Sequence, residues 1–153
     1  MEDEIYYKLA KVLDTLPNGF PATESGVEIK LLKKIFTPEQ VDLYCDLRLS
    51  FENVESIAER TGRPLEGLVK NLIQMGKDGQ VLGARVGDTW IFKMMPWIFG
   101  IYELQLHRMD KEFAKLSEQY YPIYAKQFFS KKPHLMQSLP IEEHIAVRQE
   151  SLS

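Results

Sequence analysis

From Glu4 to Leu16 the apolar residues fall at Ile5, Leu9, Val12, Leu13 and Leu16, the spacing of a helix with one buried stripe. Pro17-Asn18-Gly19 supplies the turn chemistry that ends it, and Phe20 to Gly26 reads as an ordered loop. A second helix follows, with Val27, Leu31, Leu32 and Ile35 inward and Lys30, Lys33 and Lys34 outward as a solvated face. Thr37-Pro38-Glu39 starts a third, because Thr37 caps the free amides and Pro38 suits the first helical position. Val41, Tyr44, Cys45 and Leu47 give that helix its inward face, and it is expected to end near Arg48.

Leu49 and Phe51 alternate with Ser50, as in a very short strand. Asn53 then caps a helix carrying Val54, Ile57 and Ala58, and Thr61-Gly62 makes the turn. Pro64 opens the next helix, whose apolar set is Leu65, Leu68, Val69, Leu72, Ile73 and Met75. Two strand-like runs, Gln80 to Arg85 and Thr89 to Met95, are joined through Val86-Gly87-Asp88, and Gly-Asp is a favoured hairpin turn. Helix, short strand, helix, tight glycine turn, helix and hairpin, in that order and at those lengths, predict a winged helix-turn-helix over 37–95. Its expected core is Val41, Cys45, Ile57, Ala58, Leu68, Val69, Leu72, Ile73, Val81 and Phe92.

After Pro96 the chain is expected to turn helical again, with Gly100 letting two backbones approach closely. From Met109 onward Phe113, Leu116, Tyr120 and Tyr124 recur at helical spacing, and Pro122 is expected to kink or split that helix. Lys131-Lys132-Pro133 ends it. The predicted fold is thus mainly α with a small β-hairpin: N-terminal helices over 1–36, the winged helix over 37–95, aromatic C-terminal helices over 96–135, and a tail or linker over 136–153.

Composition narrows the class. At 153 residues the chain is the size of one domain, and 44% apolar with 27% charged residues is ordinary for a globular protein. The start, MEDEIYYKLAKVL, is acidic and lacks the basic and apolar regions of a signal peptide. The apolar run from Met94 to Tyr102 is far too short for a membrane span. A soluble, cytoplasmic protein with no membrane partner is expected. The net charge of −3 lies wholly in residues 1–50, with six bases against nine acids; 51–95 holds six of each and 96–153 seven of each. Sequence-independent DNA binding rests on a basic excess that releases counterions, and no third of the chain has one.

Candidate chemistry is sparse. Gly83 to Gly87 has the wrong spacing for a phosphate loop and leads into a strand. His107, His134 and His144 lie too far apart for a local metal pair, and Glu142-Glu143-His144 is not a zinc-protease helix. Cys45 shares a helix face with Val41, as a buried inert thiol does. No catalytic, cofactor-binding or metal-binding residue is assigned, and the chain is read as non-enzymatic.

Two surfaces stand out. On the helix after Pro64 the outward positions are Arg63, Lys70, Asn71, Gln74 and Lys77, with Arg85 in the wing, residue types that reach phosphates and base edges. Glu66 and Asp88 stand beside them and would repel a phosphate. These six residues are therefore candidates for contact with DNA or with a protein partner, the protein being preferred. The C-terminal rings form the second surface, with Tyr120, Tyr121, Tyr124 and Phe128 as the candidate interface with a second copy or another domain.

Leu16-Pro17-Asn18-Gly19-Phe20-Pro21, Thr37-Pro38-Glu39, Ile57 to Leu65 (IAERTGRPL) and Pro96 to Glu103 (PWIFGIYE) resemble a family of 4Fe-4S ferredoxin-like proteins of anaerobic microbes. The resemblance covers nearly the whole chain, and its more specific parts are LPNGFP and PWIFGIYE. It implies a winged-helix region preceding a cysteine-rich cluster domain, in an electron-transfer or redox-sensing setting. With Cys45 as the single cysteine, no cluster ligand carries over. The chain then reads as an N-terminal fragment, with a 4Fe-4S cluster expected only in a missing C-terminal domain. The resulting expectation is an interaction or regulatory domain of an iron–sulfur protein, with a DNA-binding regulator, reading DNA through helix 64–76 and the 80–95 wing, as the alternative.

Overall fold

The computed structural model describes residues 2–131. Residues 132–153, which include His134, His144 and the expected tail over 136–153, lie outside the described residues. The described chain is mainly helical, with a small three-stranded antiparallel sheet.

Helix α1 (Glu2–Thr15) buries Tyr6, Leu9, Ala10 and Leu13, and α2 (Val27–Ile35) lies against it. The loop between them is closed by Glu28, a buried carboxylate that accepts from the Thr23 backbone N–H and hydroxyl. Thr37 and Gln40 form a reciprocal capping box at the start of α3 (Pro38–Cys45). This helix stops at Cys45, short of the expected Arg48.

The short strand falls later than predicted. Leu49 and Phe51 are exposed, and β1 is Glu52–Asn53, paired with Phe92 and Ile91. Strand pairing is settled by the partner, and alternation over three residues carries too little pattern to place it. Asn53 accepts from the Ser56 N–H at 2.8 Å and caps α4 (Val54–Thr61), which ends on Gly62 at φ 75°. Helix α5 (Leu65–Lys77) is irregular at its start, with Glu66 extended and Gly67 at φ 88°. Its regular coil therefore begins at Leu68. The hairpin β2 (Val81–Val86) and β3 (Thr89–Met94) follows, in sheet order β1-β3-β2. Gly83 is required by packing, because a Cβ there would lie 2.7 Å from the Phe92 ring.

Beyond Pro96 the chain is not immediately helical. Ile98 and Phe99 are extended, and regular structure resumes as α6 (Tyr102–Gln105), a 3₁₀ turn (Leu106–Arg108) and α7 (Lys111–Lys131). A Cβ on Gly100 would sit 3.0 Å from the Met95 Cβ, so this glycine makes room for a nearby side chain, whereas the expectation was an approach of two backbones. Pro122 does not split α7, which runs continuously through it. Pro122 and Glu118 are both exposed, so the Glu118 carbonyl that loses its helical partner lies on the solvent side of α7, where water can replace that partner.

One core joins all of this. Of the expected winged-helix core, Val41, Ile57, Leu68, Leu72, Val81 and Phe92 are buried, while Cys45, Ala58, Val69 and Ile73 are half-buried. Four tyrosine hydroxyls inside it donate to distant backbone carbonyls: Tyr6 to Phe36, Tyr44 to Met95, Tyr120 to Pro21 and Tyr124 to Asn18.

Candidate interaction surfaces

The six polar residues expected to face one partner do not act together. Arg63 is turned back onto α3, donating through Nη2 to Asp46 at 2.6 Å and to Asp42 at 3.1 Å. Its side chain is only 25% exposed, and its charge is neutralised within the fold. Arg85 remains exposed but lies 3.9 Å from Asp88 and over the face of Trp90. Asn71 lines the α3 side of α5, together with Pro38, Asp42 and Arg63. Lys70, Gln74 and Lys77 flank a separate open groove floored by Leu65, Val69 and Ile73, and Gln74 donates to Asp78 at 3.0 Å. Helical periodicity causes this division: 70, 74 and 77 recur on one stripe of α5, whereas 71 lies on the next stripe, toward α3.

Two of the three lysines of α2 are likewise committed, Lys30 being exposed. Lys34 donates to Asp110 at 2.6 Å and Glu112 at 3.0 Å, which holds the Asp110 carboxyl below its usual range and the ammonium above its own. Lys33 pairs with Asp3. Arg60 donates twice to Glu52, holding that carboxyl down and tying α4 to β1. These are ties between elements of the fold.

Of the four expected interface tyrosines and phenylalanine, two are core. Tyr120 and Tyr124 are 2% and 4% exposed. Phe20 packs between Trp97 and Tyr120, with ring centroids 5.1 and 5.2 Å away, which explains why Tyr120 turns inward. Tyr121 faces out at 66% exposure, joined by Phe99 at 72% and Phe129 at 53%. Phe128 is half-buried, stacked on Tyr124 at 6.2 Å and edge-on to Phe129 at 5.1 Å. Between the 98–99 segment and α7 lies an apolar crevice of about 150 Å³, reaching down to Ala125. Phe99 and Phe129 are not among the four residues expected on this face. A helical wheel would have found Phe129, since 121, 125 and 129 follow one another at intervals of four.

The described residues hold no group of three or more histidine, cysteine, aspartate or glutamate side chains able to bind a metal. A 4Fe-4S cluster takes four thiolates, and the chain's one cysteine, Cys45, is half-buried with its thiol pushed up to about 11 by burial. These residues do not fit a cluster. Among the described residues, no helix is long and apolar enough to cross a membrane. Set against protein-family models, curated proteins and solved structures, the chain matches none of them.

Proposed function

We propose that residues 38–94 are a winged helix-turn-helix used for protein contact, within a non-catalytic domain. The element order α3-β1-α4-α5-β2-β3, with β1 pairing the far strand of the hairpin, supports the winged-helix part of the reading. One observation carries the choice of partner: the groove along α5 is floored by Leu65, Val69 and Ile73, while Arg63 and Arg85 are held beside carboxylates. A DNA-reading surface needs free cations and polar tips against phosphates and base edges. An apolar floor with a mixed rim of Glu66, Lys70, Gln74 and Lys77 suits a protein surface instead. The resemblance of the LPNGFP and PWIFGIYE segments to 4Fe-4S ferredoxin-like proteins supplies the proposed setting, in which the partner is a cluster-bearing electron-transfer domain or protein.

A gel-shift assay at low salt with mixed duplexes tests this. No retardation is expected. Sequence-specific, salt-sensitive retardation that disappears on changing Lys70 and Lys77 to alanine would put DNA in the groove and end the protein-contact reading.

A further inference from the structure

The face of α7 that carries Tyr121, Ala125 and Phe129 belongs neither to the core nor to the α5 groove. We infer that it is a self-complementary interface on which a second copy of this chain packs, α7 against α7, antiparallel about Ala125. Tyr121 and Phe129 are each four residues from Ala125, so they lie on one helical stripe with the small residue at its centre. A twofold axis at Ala125 places Tyr121 of each copy against Phe129 of the other. Such an isologous contact needs one patch that fits itself, and a ring at each end of a small centre meets that need. Ala125 is half-buried at the bottom of the crevice, which lets two helix axes come close.

The area is sufficient. Phe99, Tyr121 and Phe129 are 72%, 66% and 53% exposed; with about 200 Å² per aromatic residue, they leave roughly 380 Å² of ring surface in water per copy. Complete coverage of these residues in two copies would bury roughly 760 Å², largely apolar, which at about 60% apolar area corresponds to a total interface of at most about 1,250 Å². That reaches the lower bound of specific protein interfaces. Of these rings, Phe129 is also held in place before contact. Phe129 is braced edge-on by Phe128, which is stacked on the buried Tyr124, so little side-chain freedom is lost on pairing. This inference concerns a different face from the α5 groove and stands or falls separately from it.

The whole chain should sediment as a concentration-dependent dimer. Changing both Tyr121 and Phe129 to glutamate should weaken the dimer by about 100-fold or more, the loss of two hot-spot rings, with the helical circular dichroism unchanged. A second measurement reads the register: in a Cys45→Ser background, Ala125→Cys should form a disulfide-linked dimer on mild oxidation. Lys115→Cys should not, because ten residues at 1.5 Å place it about 15 Å along the helix from the axis. A chain that is monomeric at every concentration overturns the inference, and so does a monomer that instead binds lipid vesicles through these rings. A dimer indifferent to the glutamates, or one cross-linked equally well from position 115, overturns it too. None of these results bears on the DNA assay, so the two readings fail separately.

Discussion

The buried tyrosines make a specific demand on behaviour in alkali. Burial pushes the phenols of Tyr44, Tyr120 and Tyr124 well above their usual range, and each hydroxyl is already donating to a carbonyl. A phenolate could not donate, so the fold holds all three in the neutral form. The unfolded chain ionises near pH 10. Because the folded values are raised, the stabilising contribution is complete below about pH 10 and is lost above it as the unfolded state releases protons. At pH 11 each unfolded phenol gains about 1.4 kcal/mol, so the three together remove about 4 kcal/mol. Against a typical total of about 5–15 kcal/mol, that is a large share. Urea unfolding followed by tryptophan fluorescence across this range should show the midpoint falling steeply above pH 10. Tyr120→Phe should remove about a third of the slope, while costing about 1–3 kcal/mol at neutral pH because the buried Pro21 carbonyl loses its donor. If difference spectra against the phenylalanine variants showed these phenols ionising near pH 10 in a protein still folded, the reasoning would be refuted.

Leu72, fully buried on α5, should cost ~2–5 kcal/mol when changed to alanine, as other large-to-small core changes do; a loss under ~0.5 kcal/mol, as at a surface, would mean that this helix is turned another way. Pro122→Ala should stabilise the fold by ~1–3 kcal/mol, because an exposed proline inside α7 forfeits a helical hydrogen bond; a drop in Tm would show that the proline is favoured here. Cys45, with its thiol at about 11, should react with a disulfide reagent at pH 8 at least tenfold more slowly in the native chain than in denaturant.

The elements that could be read from the sequence are those whose signals are local. Thr37-Pro38, Asn53, Gly62 and the Gly87 turn act on neighbours within a few residues, and the ends they mark fall where expected. Features set by a distant partner could not be read. The position of β1 depends on Phe92 and Ile91 forty residues away, and α3 ends where the chain leaves to reach them. Tyr120 is buried because Phe20 and the Pro21 carbonyl wait for it on the far side of the core. The stripe Phe113-Leu116-Tyr120-Tyr124 already set Tyr120 apart from Tyr121, and all four of its residues are buried; grouping the two tyrosines as one interface passed over that spacing. Arg63 was ambiguous: its residue type suits a phosphate, and only the return of α4 past α3 brings Asp42 and Asp46 to its guanidinium.

The tyrosine bonds that join α7 to the loop before α2 also bear on how the chain matures. Tyr120 reaches back 99 residues and Tyr124 reaches back 106, and α2 packs directly on α7. The first 36 residues thus leave the ribosome long before the helix that covers them exists. Loop closure over such spans is slow compared with a hairpin, so the hairpin region can order first while Phe20 and the inner side of α2 stay wet. During that interval the nascent chain exposes an apolar surface that the finished protein conceals. A chain ended at Met95 would keep that surface open for good, and should be aggregation-prone in proportion to the time its amino-terminal helices spend without their cover.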